Sequence, residues 1–272
     1  MIIDSHVHIW IQQPDRYPWS PVGGYIPENQ ASVESLLTIM DANNIDGAVL
    51  VQPTPYGWDN SYLLDSAKKT PNRLHTVCLV DPMDPNSATK MKKLNEQSGA
   101  NGFRFNWNLK PMEEWDRNSN QRFLWDMAAK LGTPLCIQCN LDYVPLLQKL
   151  SQQFPNVRVV VDHLGKPVIQ SGIQQQKFQQ LLSLSKQPNI YIKLSGFYYS
   201  SSQTAPFSDV IPYVQAFIDT FGAQRCIWGS DFPFIMDRWN YTSALNWISE
   251  LGQVSKEDRA WILGNTAKML WW

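Results

Sequence analysis

Short runs rich in valine and isoleucine alternate with amphipathic stretches along the whole chain. Eight of these runs have the length and composition of buried β-strands. The predicted strands cover residues 2–8, 47–52, 75–81, 102–106, 135–139, 158–163, 190–195 and 226–231.

The stretches between the runs predict helices. Ser32 precedes one in which Val33, Leu36 and Met40 recur at helical spacing, and a later one ends at Gly132. Strands separated by helices indicate parallel strands joined by helical crossovers, in a barrel or an open doubly wound sheet.

The number of strands and the chain length favour the barrel. The chain has 272 residues, and one (β/α)8 barrel needs about 250. No glycine-rich GxGxxG segment follows the first strand, which removes the main support for a dinucleotide-binding sheet. We therefore predict an α/β protein with a single (β/α)8 TIM-barrel domain over residues 1–272. The long segment 14–30 should cover the barrel mouth.

Composition excludes several classes of partner. Lys and Arg total 23 and Asp and Glu total 24, for a net charge of −1, so we expect no nucleic-acid partner. The sequence predicts neither a signal peptide nor a membrane span of about 18 apolar residues, so we expect no membrane partner and a cytoplasmic location. Cys136 and Cys139 lie three apart on a predicted strand, where they point to opposite faces and make a poor metal knuckle.

Titratable side chains gather at the carboxyl ends of the predicted strands, where barrel enzymes place their functional groups. His6 and His8 end the first strand on one face, His163 ends the sixth and Asp231 ends the eighth. His75 begins the third strand, at the opposite end, and is expected to be structural. Asp4 and Asp162 alternate with these inward residues, so we expect them to contact the helical layer or to support the site as acceptors.

Four motifs in this order resemble the amidohydrolase superfamily, specifically the amidohydrolase-2 group. They are DSHVHIW, DHLGKP, IKLSG and WGSDFP. The segment LVQPTPYGWDNSYLLDSA further resembles the lactonase branch, which includes 2-pyrone-4,6-dicarboxylate lactonase and the sugar-acid lactonases. The resemblance implies a TIM barrel of the metal-dependent-hydrolase type that hydrolyses a lactone.

The same resemblance leaves two options for a metal. Superfamily members place ions on the HxH pair, on histidines of the fifth and sixth strands and on the eighth-strand aspartate. Here Gln138 or Cys139 replaces the fifth-strand histidine, and the fourth strand offers Arg104 in place of a bridging ligand, so two metals are not expected. One Zn²⁺ or Mn²⁺ could bind to His6, His8, His163 and Asp231, or the enzyme could be metal-independent, as some of the branch are.

For lactone opening we assign Asp231 as the general base that activates water. His6, His8 and His163 would donate hydrogen bonds to the carbonyl oxygen or coordinate the ion. The candidate substrate contacts are Arg104, Gln52, Asn106, Gln138, Lys193, Tyr198 and Trp58. Arg104 could instead form an ion pair within the barrel, and Lys193 could merely line it.

A sugar-acid lactone is favoured over a pyrone dicarboxylate. The segment FYYSSS follows the seventh strand, where the pyrone enzyme resemblance would require a basic residue, and tyrosine and tryptophan faces suit neutral rings. Two alternatives remain: a zinc-dependent decarboxylase of an aromatic or related acid, and an inactive barrel that only binds. The expected partner is a small-molecule substrate, and the protein is expected to be a monomer or homodimer.

Overall fold

In the computed structural model, which describes residues 1–22, 25–251 and 254–272, eight parallel strands follow one another in sequence order around a barrel. The barrel closes between its first and last strands, because the Asp231 amide donates to the His6 carbonyl at 2.9 Å and Val7 pairs with Phe232. The predicted barrel class is confirmed. The strands are β1 (Ile3–Val7), β2 (Gly47–Val51), β3 (Leu74–Leu79), β4 (Gly102–Asn106), β5 (Leu135–Gln138), β6 (Val159–Val161), β7 (Ile190–Leu194) and β8 (Cys226–Trp228).

Helices follow the strands and cover the outside of the barrel. Ser32 caps α1 (Val33–Ala42) by accepting a hydrogen bond from the Ser35 amide at 3.2 Å. Gly132 ends α5 (Asn120–Leu131) in the left-handed conformation. The α-helices are α1 (Val33–Ala42), α2 (Ser61–Lys69), α3 (Ser87–Ser98), α4 (Met112–Arg117), α5 (Asn120–Leu131), α6 (Val144–Gln153), α7 (Gln176–Ser183), α8 (Ile211–Phe221), α9 (Tyr241–Glu250), α10 (Lys256–Ala260) and α11 (Thr266–Trp271). None of the helices described is long and apolar enough to cross a membrane.

The barrel interior has an apolar lower half. Small and branched side chains from alternate strand positions fill it, and α11 closes it with Leu270 and Trp271. The His75 ring packs against Trp272 with ring centroids 3.9 Å apart and planes tilted by 37°, at the end opposite the mouth where the sequence places His75. Cys136 belongs to this inner cluster and Cys139 to the outer one, so the two thiols face opposite sides of β5.

Seven of the eight strands end one to three residues earlier than the sequence predicts, and the difference matters most for β6 and β8. β6 stops at Val161 and β8 at Trp228. His163 and Asp231 lie beyond them with φ angles of 53° and 63°, in the left-handed region, which no extended strand can include. Both side chains are therefore held on turns at the barrel mouth.

Candidate active site

An open cavity of about 320 Å³ lies at the carboxyl ends of the strands. Its wall combines aromatic faces with neutral amides, two arginines and two of the clustered histidines. The lining residues are His8, Tyr25, Pro53, Thr54, Arg104, Asn106, Gln138, His163, Tyr198, Tyr199, Phe234, Asp237 and Arg238.

Four titratable groups meet at and just beneath the floor of this cavity: His8 and His163 line it, whereas His6 and Asp231 are fully buried behind them. The Nε2 atoms of His6 and His8 lie 3.2 Å apart, and each lies 3.5–3.6 Å from Oδ1 of Asp231. The ring of His163 is 4.6 Å from that of His6, centroid to centroid. The structure thus brings together three segments that are distant in sequence, in one buried cluster.

Each group of the cluster is held by a second partner. Nδ1 of His8 is 2.7 Å from the carbonyl of Val51. A carbonyl only accepts, so Nδ1 carries the hydrogen, and the neutral form of His8 presents a lone pair at Nε2. This differs from the donor role predicted for His8. Nδ1 of His163 contacts the Ser195 hydroxyl at 2.9 Å, and the Tyr198 phenol donates to Oδ2 of Asp231.

A buried ion network lies directly beneath the cluster. Asp162 accepts from Nε of Arg104 at 2.8 Å, and its other oxygen is 3.0 Å from Nζ of Lys193. Asp4, by contrast, points outward and accepts from the Tyr241 hydroxyl at 2.6 Å. Asp162 therefore has one of the two roles expected of it, support of the site as an acceptor, although it points inward and not toward the helical layer. Asp162 continues the alternation of β6, in which Val160 faces inward.

Burial and neighbouring charges set the ionisation of the cluster. Burial lowers the pKa of His163 to about 4 and that of His6 well below its ordinary value. Burial alone would raise the pKa of Asp231, but the imidazoles of His163, His8 and His6 outweigh this effect and hold the pKa below its ordinary value. At neutral pH the floor therefore combines an ionised carboxylate with neutral rings at His6 and His163.

Three of these side chains can offer atoms to one metal ion. Ligand atoms of His6, His163 and Asp231 lie within 4.8 Å of one another, the one such group among the described residues. Oδ1 of Asp231 is also a buried oxygen without a hydrogen-bond partner in the described chain. Imidazole nitrogen and carboxylate oxygen are ligands that Zn²⁺ and other first-row divalent ions accept. The donor positions fit a single divalent ion.

The predicted substrate contacts divide into two groups. Arg104, Asn106, Gln138 and Tyr198 line the cavity.

Gln52, Lys193 and Trp58 do not line it. Gln52 is fully buried and donates to the Asp59 carbonyl at 2.6 Å. Lys193 is fully buried in the ion network beneath the cavity floor. Trp58 lies in the β2–α2 connection and lines a smaller apolar cavity next to the main one. Strand-end position alone did not distinguish a side chain that reaches the cavity from one beneath or beside it.

Several residues that line the cavity were not predicted from the sequence. Thr54 lies within the segment LVQPTPYGWDNSYLLDSA, which was used only for the resemblance, and Phe234 and Arg238 follow the motif WGSDFP. Tyr25 comes from the segment 14–30 that was expected to cover the mouth; residues 23 and 24 of it lie outside the described residues. These residues could have been predicted by assigning every connection between a strand and the following helix to the cavity wall.

Comparisons with known proteins agree with this geometry. The amidohydrolase family profile matches residues 3–271. The L-fucono-1,5-lactonase of Burkholderia ambifaria is 29% identical over 234 residues, which cover 85% of this chain and 80% of that protein. The 4-sulfomuconolactone hydrolase of Hydrogenophaga intermedia is 27% identical, with coverages of 85% and 74%. A crystal structure from Pseudomonas putida, named provisionally as a 2-pyrone-4,6-dicarboxylic acid hydrolase, superposes with a TM-score of 0.84 at 26% identity, with coverages of 99% and 97%.

Proposed function

The chain belongs to the amidohydrolase family, and we propose that it hydrolyses a small lactone with Asp231 as the general base. One observation carries the proposal. The ionised carboxylate of Asp231 is buried against His8 and Tyr198, two residues of the cavity wall, and its Oδ1 has no hydrogen-bond partner among the described residues. Two relatives whose alignments cover 85% of this chain are named as a lactonase and a lactone hydrolase.

Asp231 starts the reaction by accepting a proton from a water molecule bound at Oδ1. The resulting hydroxide attacks the lactone carbonyl and forms a tetrahedral intermediate. The bond between the carbonyl carbon and the ring oxygen then breaks, and the ring oxygen leaves as a tethered alkoxide. Asp231 returns the proton to this alkoxide, which gives a hydroxy acid and restores the carboxylate.

The neighbouring groups polarise the carbonyl and orient the water. Ser195 holds Nδ1 of His163, which leaves the other ring nitrogen to face the reacting carbonyl. Nδ1 of His8 donates to the Val51 carbonyl, which fixes the ring with its Nε2 3.5 Å from Oδ1 of Asp231, beside the water. Tyr198 fixes the carboxylate through Oδ2 and so reserves Oδ1 for the reaction.

A single divalent ion would be held by His6, His163 and Asp231, and Zn²⁺ or Mn²⁺ suits this donor set. When bound, it would polarise the carbonyl as a Lewis acid.

The lining favours a neutral, hydroxyl-rich ring over a dicarboxylate. The Arg104 side chain lines the cavity, but its Nε donates a hydrogen bond to Asp162. The exposed Arg238 lies next to Asp237 at the rim. Little cationic charge remains for two carboxylates. The amides of Asn106 and Gln138 match hydroxyl groups, and the tyrosine faces match the ring. We therefore propose a sugar-acid lactone as the substrate.

Titrating the acid released from a panel of aldonolactones and from 2-pyrone-4,6-dicarboxylate tests the proposal. We expect turnover of at least one aldonolactone and weaker turnover of the pyrone. Asp231→Asn should lower kcat by about 10³-fold or more, since the base is lost. Asp219→Asn makes the same chemical change on the exposed side of α8 and should leave kcat unchanged.

Two results would contradict the proposal. One is failure of the protein to open any lactone of the panel. The other is near-normal turnover by Asp231→Asn. Release of carbon dioxide from an aromatic acid would point instead to a decarboxylase.

A further inference from the structure

Lys193 is a fully buried lysine on β7 that reaches the floor of the cluster from below. Its Nζ lies 3.0 Å from Nδ1 of His6, 3.0 Å from Oδ1 of Asp162 and 3.9 Å from Sγ of Cys136. Nζ forms hydrogen bonds with His6 and Cys136, and the Asp162 carboxylate balances the charge of the ammonium as an ion-pair partner. Neither the proposed proton transfers nor the candidate metal donors use this lysine.

The contact with His6 has only one chemically sensible direction. An ammonium has no lone pair, so Nζ donates and Nδ1 of His6 accepts. The competing arrangement would place a hydrogen on Nδ1 and direct it to Oδ1 of Asp162. That distance is 3.6 Å, which is too long for a hydrogen bond. We infer that Lys193 is a positioning residue that fixes His6 as the tautomer with its hydrogen on Nε2.

The partners of His8 support this assignment independently. Nδ1 of His8 donates to Val51, which leaves Nε2 of His8 as an acceptor, 3.2 Å from Nε2 of His6. Two ring nitrogens at this distance need one donor and one acceptor. With the hydrogen on Nε2 of His6, a single consistent chain runs from Lys193 through His6 and His8 to the carbonyl of Val51.

His6 must give up this tautomer before it can bind an ion together with His163 and Asp231, so the tautomer weakens the affinity of that site for a metal. A histidine that ligates a metal needs a lone pair on one nitrogen and an acceptor for the hydrogen on the other. His8 has such an acceptor in Val51, whereas His6 faces a donor. Removing the Lys193 ammonium would let the ring place its hydrogen on Nδ1 toward Asp162, and Nε2 would become a ligand. The inference concerns the resting protein and holds whichever substrate the cavity takes.

Nitrogen-15 NMR of histidine-labelled, chelator-treated protein measures the tautomer directly and needs no variant. The chain has 4 histidines, and comparison with His6→Gln identifies the signals of His6. We expect His6 protonated on Nε2 and His8 on Nδ1. A spectrum with the His6 hydrogen on Nδ1 would overturn the inference, whether or not the protein hydrolyses lactones.

Zinc affinity provides the second measurement, by competition with a chelator of known affinity. Lys193→Met removes the donor while Arg104 keeps Asp162 paired, and it should lower the Kd for Zn²⁺ by about tenfold or more. Lys166→Met is the matched control. It removes another cation near the site, one that lies over the Tyr199 ring at 4.4 Å, and it should change the Kd far less.

Equal Zn²⁺ affinities for the two variants would show a general effect of charge and contradict the role of Lys193. Circular dichroism establishes that each variant is folded. If Lys193→Met does not fold, the NMR measurement on the wild-type protein decides.

Discussion

The phenol of Tyr198 donates a hydrogen bond to Oδ2 of Asp231, while Oδ1 of the same carboxylate has no hydrogen-bond partner among the described residues. The two oxygens of one catalytic candidate therefore have different environments. Tyr198 lines the cavity, so this contact lies at the cavity wall. The asymmetry makes Oδ1 the oxygen that can hold and deprotonate water.

Tyr198→Phe removes this hydrogen bond and leaves the ring. A hydrogen bond to a charged group contributes about 1.5–3 kcal/mol, so we expect kcat for a lactone to fall roughly 10–100-fold. Tyr213→Phe removes a phenol that donates to the Ile169 carbonyl at 3.1 Å, away from the cavity, and kcat should be unchanged. Equal kcat values for Tyr198→Phe and wild type would show that Oδ2 needs no partner.

The barrel was predictable from the sequence because its signals are local and repeated. Alternation of strand-like and helix-like runs requires no knowledge of distant contacts. The residues clustered at the strand ends followed from the general rule for barrels.

Side-chain direction past the strand ends was not predictable in the same way. In β6, Val160 faces inward, so Asp162 also faces inward. His163 then returns to the interior because its φ is 53°. Side chains alternate along an extended strand, so the adjacent residues Asp162 and His163 cannot both point inward there. The prediction took His163 as inward and therefore placed Asp162 outward. A left-handed residue at this turn is a tertiary feature that periodicity does not record.

Gly196 makes the packing of His163 possible. It has a φ of 58°, and a Cβ at this position would lie 2.6 Å from Nδ1 of His163 and 2.7 Å from the Tyr199 ring. Gly196→Ala should therefore shift the imidazole away from Ser195. It should also destabilise the fold by about 1–3 kcal/mol through backbone strain and overlap.

Urea unfolding and lactone turnover measure both effects of Gly196→Ala. Gly99→Ala is the matched control, because Gly99 also has a positive φ, 79°, but nothing lies within 4 Å of its Cβ position. That variant should show backbone strain without loss of turnover. If Gly196→Ala lost no more stability or turnover than Gly99→Ala, the close contact with His163 would be unimportant.

The pKa of buried His163 predicts how stability changes with pH. Folding lowers this pKa to about 4, whereas an unfolded histidine titrates near about 6.5. As pH falls below about 6.5, the unfolded chain binds a proton that the folded protein cannot accommodate, so stability is lost toward pH 4. Between pH 7.5 and pH 5 this one group should lower the free energy of unfolding by about 2 kcal/mol.

Urea unfolding of wild type and His163→Asn at the two pH values tests this prediction. The decrease in stability on acidification should be smaller in His163→Asn by roughly that amount. Asp231 adds little to the difference, because its carboxyl is largely ionised at pH 5 in the unfolded chain as well. The control variant His75→Asn removes a half-buried histidine at the opposite end of the barrel, and burial lowers the pKa of this histidine too. The variant should retain the pH-dependent loss of stability that His163 causes. Equal pH dependence in wild type and His163→Asn would mean that His163 binds its proton as readily in the folded protein as in the unfolded chain.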